Sequence, residues 1–376
     1  MENTNKKILI LNSRHDLNAL FFFFKELSTL NSSLTLLSID EKIIRKFKEN
    51  NLPARKLYFW PVPGSFLYLL ACLILSPLVM IYLTVRLIRF KHKYKIKYLL
   101  LFDSFDRIFT ARAAKLIGLT PWFLVCPELA DDTAGPRNFA ALRTGKNYKT
   151  ICLTDNSRKK LIADGFGQTV FLPPGIKLGL GHQDNIFSGL AKEKNRLPSK
   201  KFFTIGTILD LNKKHNLETI FQGIKNSQTV IRNIQFIIIG DGKERKNLLW
   251  LAKKMGLETI LWFVGEQKCL KKWLQSLDVY AYAADQISLA DINYSLLAMS
   301  SSLPIIMPGN SDLEEFALNF KQGMRLEQNN PDEWARLLIK LQQNKKLRLD
   351  LGASAKARVE ERFTVERMAE DFLTML

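Results

Sequence analysis

An apolar run at 202–208 ends close to Gly206 and Thr207, and two lysines, Lys213 and Lys214, follow it. A glycine at a strand end lets backbone approach a phosphate. Lysines just beyond it could bind an anionic group such as a phosphate. The same lysines could also be solvated loop charge. Gly240-Asp241-Gly242 follows a second apolar run and opens a predicted helix. That pattern serves a phosphate turn or simply a tight turn. Asp285 precedes the predicted helix at 291–301 and Asp291 opens it, where an acid can accept hydrogen bonds from a ligand or cap the helix. Ser13, Arg14, His15 and Asp16 follow the first apolar run, Asp103 and Ser104 a later one, and Glu128 another. In an open parallel sheet such positions line ligand-binding loops. His15 could equally be a satisfied structural residue.

The elements that would position these residues alternate. Apolar runs at 7–12, 34–39, 97–102, 121–126, 149–153 and 168–172 read as strands, with helices at 18–30, 107–117 and 155–164. After Pro173-Pro174-Gly175 the stretch 178–200 keeps no period and reads as a linker. A second alternating set follows, with strands at 202–208, 234–239, 259–264, 278–282 and 303–307. Helices at 215–226, 243–255, 268–276 and 291–301 lie between them, and a helical tail starts near 331. This is the signature of two α/β domains with parallel sheets. The length of 376 residues suits two domains. The expected division is an N-terminal domain at 1–177, the linker at 178–200, a C-terminal domain at 201–355 and a final helix at 356–376 that crosses back to the first domain.

Four cysteines, Cys72, Cys126, Cys152 and Cys269, show no CxxC spacing. With no His or acidic cluster of ligand spacing, no tightly held metal or cofactor is expected. The start, MENTNKKILILNS, has no secretory pattern, which fits a reducing cytosol. Residues 1–200 hold 31 Lys and Arg against 15 acids, whereas the rest holds 24 against 21. A basic half attracts nucleic acid, anionic lipid or phosphate ligands. No nucleic-acid module accompanies that charge, so no nucleic-acid partner is expected.

Residues 66–85 carry no charge, and twenty apolar residues are long enough for a hydrocarbon core of about 30 Å. Tyr58, Phe59 and Trp60 precede the run, while Arg86, Arg89, Lys91, Lys93, Lys95 and Lys97 follow it. Strands on both sides of the insert belong to one sheet, so a single crossing would split a domain. Pro77 lies near the middle and disfavours a straight helix. The expectation is a re-entrant hairpin or an in-plane helix at 57–97 that docks on an anionic membrane. Trp60, Phe66, Pro77, Arg86, Arg89, Lys91 and Lys93 would form that contact, and a buried core helix is the alternative.

Several segments carry a family resemblance: FTIGTILDLNKK (203–214), FIIIGDGKERKNLLWLAKKMGL (236–257), LWFVGEQKCLKKWLQSLDVYAYA (261–283) and LLAMSSSLPIIM (296–307). RLDLGASAKARVEERFTVERMAEDF (348–372) extends them. AAKLIGLTPWFLVCPEL (113–129) and TDNSRKKLIADGFGQTVFLPPGI (154–176) join more weakly. Together these resemble glycosyltransferase family 4 over roughly residues 97–372. The resemblance implies the GT-B fold, two Rossmann-like domains facing a cleft. It also implies sugar transfer from a nucleotide-sugar donor with retained anomeric configuration. It places the donor at Gly206, Thr207, Lys213, Lys214, Gly240, Asp241, Val264, Gly265, Asn293 and Ser295, and catalysis at Asp291, with His15 and Glu128 toward the acceptor. The sequence departs from the family in two places. Thr207 stands where an arginine is usual. Leu289 and Leu297 stand where two glutamates would precede Ala298-Met299. The expected partners are a nucleotide sugar, a lipid-linked or other membrane glycan acceptor and an anionic membrane surface at the cytoplasmic face. The alternative is a catalytically degenerate GT-B scaffold within a glycan-synthesis complex.

Overall fold

The apolar runs form two parallel sheets. In the computed structural model, the described residues are 6–12, 17–30, 32–57, 76–102, 110–111, 113–127, 148–179, 202–211, 215, 217–282, 287–309 and 312–376. The chain divides into one compact unit of Met1–Pro173 with Val365–Leu376, and a second of Pro174–Thr364.

The first sheet uses β1 (Lys6–Asn12), β2 (Ser32–Ser38), β3 (Ala54–Lys56), β4 (Tyr98–Leu101), β5 (Thr120–Val125), β6 (Lys149–Cys152) and β7 (Gln168–Phe171). Their order is β3-β2-β1-β4-β5-β6-β7, all parallel. Central strands such as β1 and β4 are buried on both faces, which is why they read as unbroken apolar runs. Helix α1 (Phe21–Thr29) follows a short 3-10 turn at Leu17–Leu20. Helix α2 (Glu41–Glu49) starts where the Asp40 carboxylate accepts the Lys42 amide N–H, and it turns Ile43, Ile44 and Phe47 inward. Neither α2 nor the three-residue edge strand β3 follows from the sequence reading.

The described part of the apolar insert is a single helix that begins at the Ser76-Pro77 junction. Helix α3 runs unbroken from Ser76 to Tyr94. Pro77 falls in its first turn, where a missing N–H costs nothing, so it opens the helix rather than breaking one. Leu83, Leu87 and Phe90 are buried in the core of the first unit with Leu9, Leu57 and Leu99. The second half of the insert is therefore part of the domain framework. Lys91 is also turned inward: its ammonium donates to the Ile117 carbonyl. The Arg86 guanidinium donates to the Lys56 carbonyl at 3.2 Å. Among the described residues no helix is long and apolar enough to cross a membrane. Trp60 and Phe66, with the rest of 58–75, lie outside the described residues, and so does the Pro77 side chain.

Helix α4 (Asp155–Ala163) is capped by Thr154. The first unit closes on the far end of the chain. Helix α11 (Val365–Met375) buries Val365, Met368, Ala369 and Phe372, and the Phe372 ring meets Phe23 edge-on at 5.4 Å. The Tyr98 hydroxyl donates to the Leu376 carbonyl at 2.9 Å.

The second sheet uses β8 (Phe203–Ile208), β9 (Ile234–Ile239), β10 (Leu261–Gly265), β11 (Val279–Ala281), β12 (Ile305–Pro308) and β13 (Gly323–Leu326), in the order β10-β9-β8-β11-β12-β13. All its pairings are parallel. Helices α5 (Leu217–Ser227), α6 (Arg245–Lys254), α7 (Leu270–Leu274), α8 (Leu289–Ser300), α9 (Pro331–Gln343) and α10 (Lys345–Arg362) complete the unit. Two apolar clusters form its interior, one containing Phe221, Phe236 and Trp334, the other Ile292, Leu296 and Phe316. Edge strand β13 is a further element that the sequence reading omits.

Candidate functional site

The order of the second sheet fixes where a ligand would bind. From β8 the chain proceeds through β9 to β10 on one side, then crosses to β11 on the other. The carboxyl ends of β8 and β11 therefore flank a topological switch point, the place where open parallel sheets bind ligands. Thr207, Asp210 and His215 come from the β8 end, Tyr280 from β11 and Asp291 and Ser295 from α8.

The loops beyond β8, β9 and β10 are tied together by backbone. Leu209 N–H donates to Ile239 O and Leu211 N–H to Asp241 O, each at 3.0 Å. Glu244 N–H returns to Leu211 O, and Gly240 N–H donates to Gly265 O, again at 3.0 Å. The glycines make this approach possible. A Cβ on Gly240, whose φ is +133°, would fall on the Leu209 carbonyl oxygen, and one on Gly242 would lie 2.6 Å from the Leu211 carbonyl carbon. The Gly-Asp-Gly turn thus braces the segment that leads into Lys213 and Lys214. Asp241 accepts the Gly242 N–H at 2.8 Å, a turn bond, and its side chain is half exposed. Gly265 has a left-handed φ of +69°, with open space where a side chain would be. Val264 offers its carbonyl to the Gln267 amide at 2.6 Å.

Gly206 and Thr207 are both held by packing within the unit. Gly206 lies within β8 rather than at its end, and a Cβ there would press on the Leu277 side chain at 2.6 Å. Its smallness serves packing between β8 and the segment before β11. Thr207 is only 2% exposed, and its hydroxyl lies beside the Tyr280 hydroxyl. The place usual for arginine is a closed niche for a small polar side chain.

Tyr280 organises the buried polar group. Its hydroxyl donates to Ile208 O at 3.2 Å and receives Ile208 N–H at 3.4 Å. Burial, and next the charge of Asp291, pushes the phenol pKa up, so it stays protonated. The buried Ser295 Oγ makes no regular hydrogen bond, although it is close enough to Tyr280 to favour the ionised phenol slightly. Asn293 is half buried on the same helix turn.

Asp291 closes a capping box. Its carboxylate accepts the Ser288 N–H at 3.0 Å and the Ser288 hydroxyl at 2.6 Å, while Ser288 Oγ accepts the Asp291 N–H at 3.2 Å. Desolvation raises its pKa. The Ser288 bonds and nearby His215 oppose that rise, and Asp210 adds to it. Leu289 is buried and Leu297 packs against the core, so no carboxylate occupies either glutamate position. Chemically the arrangement offers neutral hydroxyl donors, one buried acid at a helix start and a braced loop leading to lysines.

The structure brings Thr207, Asp291 and Ser295 together around Tyr280. Gly240, Asp241 and Gly265 form the separate brace. Sequence reasoning missed Asp210, His215, Tyr280 and Ser288. The Ser288-x-x-Asp291 spacing was a legible capping signal, and His215 directly follows Lys213-Lys214. His15, Asp103, Ser104, Glu128, Lys213, Lys214 and Asp285 lie outside the described residues. Among the described residues no three His, Cys, Asp or Glu could hold a metal ion.

Comparison with known proteins agrees with this fold. Residues 190–358, somewhat under half of the chain, match the family described as glycosyl transferases group 1. The lipopolysaccharide core biosynthesis glycosyltransferase LpsE of Rhizobium meliloti (strain 1021) is 22% identical over 139 residues, which cover 37% of this chain and 40% of that protein. The chain thus matches only about two fifths of that relative's length. A glycosyltransferase from Rickettsia africae superposes with a TM-score of 0.82 at 11% identity, covering 99% of this chain and 98% of the other. Anabaena HepE in complex with UDP gives 0.79 at 15%, covering 98% and 99%. The chain has the GT-B fold, and over residues 190–358 it matches the glycosyl transferases group 1 family.

Proposed function

We propose that this protein transfers a sugar from a nucleotide-sugar donor to a membrane-borne glycan acceptor, with retention of anomeric configuration. The observation that carries the reading is the switch point of the second sheet, where a braced loop and a buried polar cluster meet inside the matched family region. Lys213 and Lys214 would hold the donor diphosphate as negative charge grows on the leaving group. The β10 loop at Val264-Gly265 would pass the nucleobase with backbone contacts. Asp291 would hold donor hydroxyls, and His15 and Glu128 would face the acceptor. HepE was solved with UDP and with UDP-glucose, which supports a nucleotide-sugar donor. LpsE and the galactosyltransferase WaaB are named for lipopolysaccharide, which supports a glycolipid or polysaccharide acceptor; the acceptor would be met at the cytoplasmic face of the membrane.

A second reading is a GT-B relative that binds without turnover. The leucines at both glutamate positions and the use of Asp291 as a cap favour it. A thermal-shift screen against nucleotide sugars, followed by transfer assays in membrane extract, separates the two. Donor binding with transfer supports the enzyme. Donor binding without transfer supports the second reading, and no binding to any nucleotide sugar overturns both.

A further inference from the structure

Helix α3 has two apolar faces, and among the described residues only one of them is buried in the core. At about 100° per residue, Leu83, Leu87 and Phe90 share an arc of roughly 60° and point into the core. Leu78, Ile81, Val85 and Ile88 share an arc of about 80° on the opposite side. They are 64%, 61%, 43% and 37% exposed. Scattered surface leucines need no explanation, but four on one helical stripe form a patch.

The charge around the patch says what covers it. Arg89 and Lys93 follow along one border and are exposed. An open groove of about 590 Å³ lies beside the helix, lined among others by Lys48, Arg55, Lys56 and Arg86. Lys56 is paired with Glu41, whereas Arg55 lies over the Tyr94 ring at 6.0 Å. Between Glu49 and Asp103 the sequence holds eight Lys or Arg and no acid. A protein partner would need its own acidic rim, and a second copy of this chain would bring like charge to like. A bilayer with anionic headgroups matches both the apolar stripe and its cationic border.

We propose that the Leu78–Ile81–Val85–Ile88 face of α3 lies in the interface plane of an anionic phospholipid bilayer, with Arg89, Lys93, Lys48 and Arg55 on lipid phosphate. The helix lies on the membrane and does not cross it. This concerns the first unit alone and does not depend on sugar transfer.

The test is co-sedimentation of the full chain with phosphatidylglycerol-containing vesicles and with pure phosphatidylcholine vesicles. Wild type partitions onto the anionic vesicles, and added salt weakens binding because the charge contribution is screened. Ile81→Glu with Val85→Glu lowers the partition by about tenfold or more, since two apolar contacts become charges in the interface. Leu349→Glu, equally exposed on α10 of the other unit, leaves it unchanged. Circular dichroism of each variant separates loss of binding from loss of fold. The proposal is overturned if wild type ignores anionic vesicles, or if the folded double variant binds as well as wild type. It is also overturned if the protein is a dimer without lipid that the same variant dissociates, because a second copy would then cover the face.

Discussion

Replacing Asp291 with asparagine and with alanine separates its structural work from any chemistry. The carboxylate accepts two hydrogen bonds from Ser288 inside a buried helix start. Alanine removes both, a loss of about 0.5–2 kcal/mol for a cap. Relief from burying a carboxylate offsets part of this, so the net cost is about 1 kcal/mol, or roughly 2–4 °C in melting temperature for a unit of this size. Asparagine keeps an acceptor oxygen and carries no charge, so it melts at or above wild type at pH 7. Burial raises the Asp291 pKa in the folded state. Its contribution to stability is therefore fully present below the ordinary carboxyl value of ~3.9 and lost as pH rises through the raised folded value. The advantage of asparagine must accordingly shrink on acidification. Thermal melts at neutral pH and near pH 4.5 read this directly. An asparagine variant less stable than wild type at pH 7, with no convergence in acid, would refute burial as the dominant influence and point to pairing with His215. Turnover is read in parallel. A donor-positioning carboxylate loses at least about tenfold in both variants, equal to about 1.4 kcal/mol of barrier, whereas a cap alone leaves turnover intact.

Gly240→Ala should be among the most damaging single changes in the second unit, because its Cβ meets Leu209 backbone and its φ is +133°. We expect a loss of about 3 kcal/mol or more, against about 1 kcal/mol for Gly256→Ala, whose φ is also positive but whose surroundings are open. Equal melting temperatures for the two would remove the loop-brace argument. The Lys213→Ala, Lys214→Ala variant should bind nucleotide sugars more weakly by about 1.5–3 kcal/mol in titration calorimetry, and unchanged affinity would end the diphosphate assignment. Burial pushes the Cys152 thiol up to about 12, so alkylation at pH 8 followed by mass spectrometry should leave it unmodified until the protein is denatured.

The strands were the legible part of the sequence. β9 reads IQFIII because a central parallel strand buries both faces, and its bounds agree with the sequence reading. Short edge strands β3 and β13 lack that signal, since Ala-Arg-Lys with two exposed residues and Gly-Met-Arg-Leu with its glycine and arginine do not form an apolar run. The insert was ambiguous because an apolar run serves equally well for a core face and a surface face. Only tertiary packing shows that Leu83 goes inward and Ile81 outward. In the candidate site, the Gly-Asp-Gly turn was visible as a turn, but not as a brace against Leu209 and Leu211. The packing constraint on Gly206 was not legible, because Leu277 lies far along the chain. The meeting of Thr207, Tyr280 and Asp291 depends on the crossover from β10 to β11, which linear spacing does not encode.

The docking of α11 into the first unit has a consequence for biosynthesis. Phe23 waits for Phe372, and the edge beside Tyr98 waits for the segment around Leu376. Everything that the second unit needs, Pro174–Thr364, is translated before that helix exists. The domain begun first is thus the one completed last, and it holds an open apolar seam while its neighbour closes. During synthesis this seam is the surface on which a chaperone would act, and a truncation removing α11 would injure the domain at the opposite end of the sequence.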